Sequence, residues 1–298
     1  MIPPILKTIN PVAVLLWTFR RNENDVVNLY DTLSTLMQIS TGGNMLNFGY
    51  WHENTSNPHD AQVSLCNMTG EMSDLKSAST VLDVGSGFSE PALIWKSKFP
   101  HLNLLCVNVN SCQLQFGSRL ITMTNQNLSQ KANGLNLTNA TATKIPLKDN
   151  SVDRVIALES AQHFRPLNEF VLESRRVLKN DGSLIMAIPV VSNQLKSPEI
   201  LKLGILSFTW SSEHYQYNEI EKMVLNAGFH ITDKNFIGSN VYVPLANYYI
   251  KNREFLKAKI LERYPAIVEK ILFKSMLKMK EVSQKGIIDY VLLRCIAK

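Results

Sequence analysis

The chain has little that would hold a metal, a disulfide framework or a membrane span. Its four cysteines, Cys66, Cys106, Cys112 and Cys295, form no CxxC pair and show no metal-ligand spacing. They read as reduced thiols in or near the core, two of them in strands; this suits a cytoplasmic protein with no metal site. No apolar run reaches the roughly 20 residues that a bilayer demands. Charged residues are sparse at 19%, so a well-filled core is expected and disorder is not. Basic residues are not interleaved with aromatics, which argues against a nucleic-acid partner. Repeats and low-complexity linkers are lacking too, and 298 residues suffice for one large α/β domain or two small ones.

What charge there is sits unevenly. The chain carries +6, and residues 251–285 alone hold ten Lys/Arg against four Glu, so the remainder is near neutral. In that segment Ile260, Tyr264, Ile267, Ile271, Phe273, Met276 and Met279 recur every three or four positions, a helical stripe opposite a lysine-rich face. Pro265 divides it into two helices. Two readings of the basic face stay open, a solvated surface and a peripheral contact with anionic lipid. Near the start, residues 11–19 are apolar and follow Lys7, which imitates a secretory leader. Arg20-Arg21 come at once, without a small-residue cleavage site. A helix packed on the domain, or a shallow membrane contact, is expected there instead.

After residue 80, hydrophobic runs and turn signals alternate. Strands are predicted at 80–84, 103–109, 136–140, 152–158, 183–188, 229–236 and 287–297. Helices are predicted at 89–99, stopped by Pro100, at 111–124, at 167–178, ended by Asn180-Asp181-Gly182, and at 218–227, with Gly228 past its end. This alternation implies a Rossmann-like α/β fold, a doubly wound, mostly parallel sheet of seven strands with helices on both faces. Residues 1–79, with Gly42-Gly43 as a break, read as an N-terminal helical lid of the same domain. Residues 80–237 form the core, 238–285 a helical cap inserted between strands six and seven, and 286–298 the last strand.

The most specific local signal is Val81-Leu82-Asp83-Val84-Gly85-Ser86-Gly87. A short buried strand runs into a glycine turn and then a helix, an arrangement that lets backbone approach a ligand closely. Asp83 inside the strand end is an addition that dinucleotide folds do not require, and it points toward S-adenosylmethionine.

Four further motifs accompany it, the first upstream and the other three downstream. They are Leu46-Asn47-Phe48-Gly49-Tyr50-Trp51, the segment 145–153 (Ile-Pro-Leu-Lys-Asp-Asn-Ser-Val-Asp), the segment 157–164 (Ala-Leu-Glu-Ser-Ala-Gln-His-Phe), and Arg176-Val177-Leu178-Lys179 with Asp181-Gly182. Together with the glycine turn they resemble class I S-adenosylmethionine-dependent methyltransferases over roughly residues 28–298. The branch resembled holds sterol and tocopherol C-methyltransferases, indolocarbazole sugar O-methyltransferases and phthiotriol-type lipid O-methyltransferases.

The resemblance implies a donor site built from Asp83, Gly85, Ser86 and Gly87 at the methionine end, and Asn108, Val109 and Gln113 near the ribose. Thr141 falls where the adenine amino group is met, commonly by an acid, with Ala142 offering a backbone donor and Leu158 behind. Tyr30 would lie near the donor carboxylate, and Trp51 with Tyr50 would close the site. Ser89 stands where the family has its third glycine. On the acceptor side the resemblance implies His163 as general base, since imidazole titrates near neutrality, and Glu159 as an orienting acid. A third acid of the sugar O-methyltransferases maps to Ile188, so a His-plus-Asp pair is not implied. Trp210, His214, Tyr215 and Tyr217 read as pocket-lining or packing residues after strand five.

The leading expectation is O-methylation of a small, moderately apolar metabolite or lipid. N- or C-methylation on the same fold is the nearer alternative. A catalytically silent, methyltransferase-like binding protein and a nicotinamide-dependent oxidoreductase are the others, the last opposed by Asn108 where an acid would select NAD.

Overall fold

The computed structural model describes residues 20–127, 134–192, 203, 206 and 213–298. The apolar segment 11–19 and Trp210 lie outside the described residues. In chain order the elements are α1 (Glu23–Thr41), α2 (Pro58–Met72), β1 (Thr80–Val84), α3 (Glu90–Lys98), β2 (Asn103–Asn108) and α4 (Ser111–Asn127). There follow β3 (Leu135–Asn139), β4 (Val152–Leu158), α5 (Leu167–Val177), β5 (Leu178–Val191), α6 (Tyr217–Asn226) and β6 (Phe229–Phe236), then α7 (Tyr242–Lys251), α8 (Arg253–Leu261), α9 (Ala266–Gln284) and β7 (Ile288–Ala297).

Seven strands form one sheet in the order β3-β2-β1-β4-β5-β7-β6. Pairing is parallel from β3 to β5, and β7 enters antiparallel to both β5 and β6. The central strands are mainly apolar because helices cover both faces. One face packs around Trp95, Leu65, Leu104, Tyr242 and Tyr290, and the other around Leu82, Val155, Phe170 and Ile220. A smaller cluster of Leu36, Tyr249, Leu256 and Ile260 joins α1 to α7 and α8. Cys66, Cys106 and Cys295 are buried free thiols; Cys112, expected in or near the core, is exposed in the first turn of α4.

Local chemistry fixes the ends of α1. Asn22 accepts the Asp25 N–H and the Asp25 carboxylate accepts the Asn22 N–H, a reciprocal cap. Gly42 closes the helix in the left-handed region and donates to the Gln38 carbonyl.

Two expectations are corrected. The helix before strand five ends at Val177, one residue short of the expected 178, and Asn180-Asp181-Gly182 lies inside β5 instead of following the helix as its stop. Leu178 already pairs with Val152, and the register then shifts so that Ser183 meets Arg154, with Asp181 at positive φ between them. Pro265 does separate two helices, α8 and α9, but α7 precedes them in the segment 238–285, and the apolar stripe is rotated from the expected phase. Ser275, Met279 and Val282 face inward on α9, while Ile267 and Ile271 are exposed. The phase is set by Glu269, which is buried because Arg253 binds its carboxylate through two nitrogens and lies over the Phe273 ring.

Candidate active site

A pocket opens at the C-terminal ends of β1, β2 and β4, with one side closed by α1. This is where an open α/β sheet receives its ligands. Its floor is the turn after β1. Gly85 has φ 74°, and a Cβ there would lie 2.3 Å from that of Ser160. Gly87 has φ 55° and would add a Cβ into open space. Ser89, at the expected third-glycine position, takes the same left-handed conformation at φ 59° and donates its hydroxyl to Ser86 Oγ. The departure from glycine is therefore absorbed in the backbone.

Asp83 is buried at the end of β1 and lines the pocket, and its Oδ2 has no hydrogen-bond partner. Burial pushes its carboxyl up to about 7. An unsatisfied acid aimed at a cavity is a site for a cation, and the ammonium of a methionine-derived donor meets that need. Asn108 also lines the pocket, but both its amide hydrogens are taken, by the Gly87 carbonyl at 3.2 Å and Gln113 Oε1 at 2.8 Å. It braces the glycine turn and keeps only acceptor capacity. Val109, Gln113, Ala142 and Leu158 complete this wall. The residues present thus fit S-adenosylmethionine: an acid for its ammonium, a glycine cradle, and an apolar slot beyond β2 and β3.

On the other side stand Glu159 and His163. Glu159, at φ 49°, accepts the Phe48 N–H with both oxygens, at 2.9 and 3.0 Å, and so holds the segment after α1 against the end of β4. Burial raises its carboxyl to about 8. His163 ends a short 3-10 turn, and its Nε2 lies 2.9 Å from the Tyr30 hydroxyl, with the rings edge to face. Burial, and then Glu159, hold the Tyr30 phenol well above its ordinary value, so it stays protonated.

Most of the expected residues meet in this one pocket, but three groups do not. Trp51 is buried against Tyr248, with its backbone paired to Asn240, and lies in the core away from the pocket. Tyr50 packs on His52. Thr141 is outside the lining; its hydroxyl is held by Glu23 and by Thr143. Of the residues after strand five, Tyr215 donates to the Phe164 carbonyl and Tyr217 to Glu221, and burial pulls the His214 imidazole down to about 4. None of those three lines the pocket.

Sequence reasoning missed Glu23, Val26 and Asn47, which do line the pocket. Glu23, Val26 and Tyr30 share one face of α1, a spacing visible in the sequence once the Asn22 cap marks where the helix begins. Asn47 lies in a lid motif whose aromatics drew the attention instead.

Residues 82–186 match the family described as Methyltransferase domain. Erythromycin 3''-O-methyltransferase of Saccharopolyspora erythraea is 25% identical over 243 residues, spanning 79% of this chain and 78% of that protein. (S)-coclaurine N-methyltransferase of Papaver somniferum is 24% identical over 172 residues, 55% of this chain and 45% of that protein. In fold, the chain superposes on a cyclopropane synthase of Mycobacterium tuberculosis with a TM-score of 0.76 at 13% identity, over 94% of this chain and 97% of that one. With the pocket's acid and glycine cradle at the strand ends, these likenesses converge on one assignment: the chain is a class I S-adenosylmethionine-dependent methyltransferase.

Proposed function

We propose that this methyltransferase acts on a hydroxyl of a small, moderately apolar molecule or lipid, with His163 as general base. The observation that carries the reading is His163 itself, an imidazole lining the pocket with Nε2 held 2.9 Å from the Tyr30 hydroxyl. The likeness to an enzyme named for O-methylation supports it. When bound, S-adenosylmethionine supplies an electrophilic methyl group on a cationic sulfur, which leaves as a neutral thioether. Asp83, Gly85, Gly87 and Gln113 would hold it. His163 takes the acceptor's proton on its imidazole as the oxygen lone pair becomes the new bond to carbon, with the Tyr30 hydroxyl holding the ring in place, and it later yields that proton to water. Glu159 keeps the 44–48 segment in place through Phe48, so that α1 and this segment act as a lid that excludes water.

Transfer to nitrogen is the second reading, favoured by the match to an N-methyltransferase. Supplying isotopically labelled methyl donor to a metabolite extract and identifying the labelled product decides between them by the atom that carries the label. With that acceptor, His163→Ala is expected to lose at least about tenfold in rate, and unchanged turnover rejects the base assignment.

The cap made by α7–α9 supports a place at the cytoplasmic surface of a membrane. Among the described residues no helix is long and apolar enough to cross one. Yet Phe255, Leu261, Ile267, Ile271 and Leu277 are each at least 40% exposed on α8 and α9, amid the lysines of the basic segment. Apolar side chains ringed by lysine suit shallow insertion among anionic headgroups.

A further inference from the structure

The acid that Thr141 does not supply comes from another element. Glu23, in the first turn of α1, lines the donor pocket beside Val26 and accepts the Thr141 hydroxyl. Thr141 itself has no capacity left for a ligand. It donates to Glu23 and is the acceptor of the Thr143 N–H at 3.3 Å, with the Thr143 hydroxyl a further 3.0 Å contact. Ala140 and Ala142, on either side of it, do line the pocket, so this is the end beyond β2 and β3 that receives the adenine ring. The pocket wall there is apolar, built by Val26, Val109, Ala140 and Ala142. The adenine amino group is a donor that needs an acceptor. An ionised carboxylate has about four lone-pair positions, of which Thr141 uses one at Glu23.

We propose that Glu23 is the nucleobase-specificity residue of the donor site, accepting the adenine amino group from the lid helix in place of an acid after β3. The Thr141 hydroxyl fixes the carboxylate's direction. Recognition of the base is thereby coupled to the docking of α1. The inference concerns the donor alone and is independent of which acceptor is used and of what His163 does.

The test is calorimetric, on the full chain without acceptor. S-adenosylhomocysteine is compared with its inosine counterpart, in which a carbonyl oxygen replaces the amino group. The wild-type chain is expected to prefer the adenosine form by about tenfold or more, as loss of a hydrogen bond to a charged group implies. Glu23→Ala should bring the two affinities together, chiefly by weakening the adenosine form. In that background Thr141→Asp, which places an acid after β3, should restore the preference. A preference unchanged in Glu23→Ala overturns the assignment. So does an equal loss for both ligands, which would mean that Glu23 only shapes the lid. Thermal melts of the variants show whether each is folded, and the exposed position of Glu23 favours that.

Discussion

The Tyr30 hydroxyl lies 2.9 Å from His163 Nε2, although 133 residues separate them along the chain. The contact joins the lid helix to the turn after β4, and it sets the direction of the one imidazole that lines the pocket among the described residues. Tyr30→Phe keeps the edge-to-face packing and removes only the hydroxyl. Its expected effect is a fall of roughly three- to tenfold in kcat with little change in donor KM, the size of one lost hydrogen bond. In a His163→Ala background the same substitution should change nothing further, and steady-state kinetics of the four proteins make that cycle. Additive losses would mean that Tyr30 acts on the ligand directly.

Asp83, which lines the pocket and is proposed to hold the donor, also bears on stability. Its carboxyl is pushed up to about 7 in the folded chain by burial, against about 3.9 when unfolded. Between those values the folded state holds a proton that the unfolded state has lost. The group's contribution is thus greatest at low pH and is lost as pH rises through 7. Asp83→Asn removes that loss. The variant's thermal midpoint should exceed wild type at pH 8, with the gap closing toward pH 4, while its affinity for S-adenosylhomocysteine falls at least about tenfold, as expected when a buried charged partner is removed. A variant less stable than wild type at pH 8 would contradict this account.

The two glycines of the turn should fail differently. Gly85→Ala drives a methyl group against Ser160 at positive φ, so a loss of about 2–4 kcal/mol in chemical denaturation is expected. Gly87→Ala meets no atom within 4 Å and bears only the cost of its φ, about 1–2 kcal/mol. Its methyl group enters the pocket, and donor affinity should fall more than stability does. Equal destabilisation of the two variants would show that the Ser160 contact relaxes freely.

Sedimentation with vesicles checks the cap. Binding to phosphatidylserine-rich vesicles should exceed binding to phosphatidylcholine alone and weaken as salt rises, because Lys257, Lys270 and Lys274 act through screened charge. Ile267→Asp with Ile271→Asp should abolish it without changing the melt, since both side chains are exposed. Equal binding to neutral vesicles at all salt concentrations rejects the lipid reading.

Legibility followed range. The strand–turn–helix at residues 80–98 is visible because Val81, Leu82, Asp83, Gly85 and Gly87 settle their own conformations locally. β6 coincides with its predicted bounds because Gly228 punctuates it. The phase of α9 is hidden because a paired glutamate, Glu269, lies on its inner face, where a hydrophobic pattern reads charge as outside. Helix α7 is hidden because Tyr242, Tyr248 and Tyr249 favour strand as readily as helix. In the site, Gly85 and Asp83 follow from the nearby strand. That Glu23 lines the pocket and Trp51 does not depends on how α1 and α7 dock, which a local pattern does not encode.

Glu23 and Tyr30 lie two turns apart on α1, about 10 Å along its axis. On the roles proposed for Glu23 and His163, one helix would touch the base of the donor at one end and the acceptor-side imidazole at the other. Withdrawal of that helix would open both halves together. Spent donor and methylated product would then leave through a single opening event, and the pace of turnover would be set by the undocking of one helix.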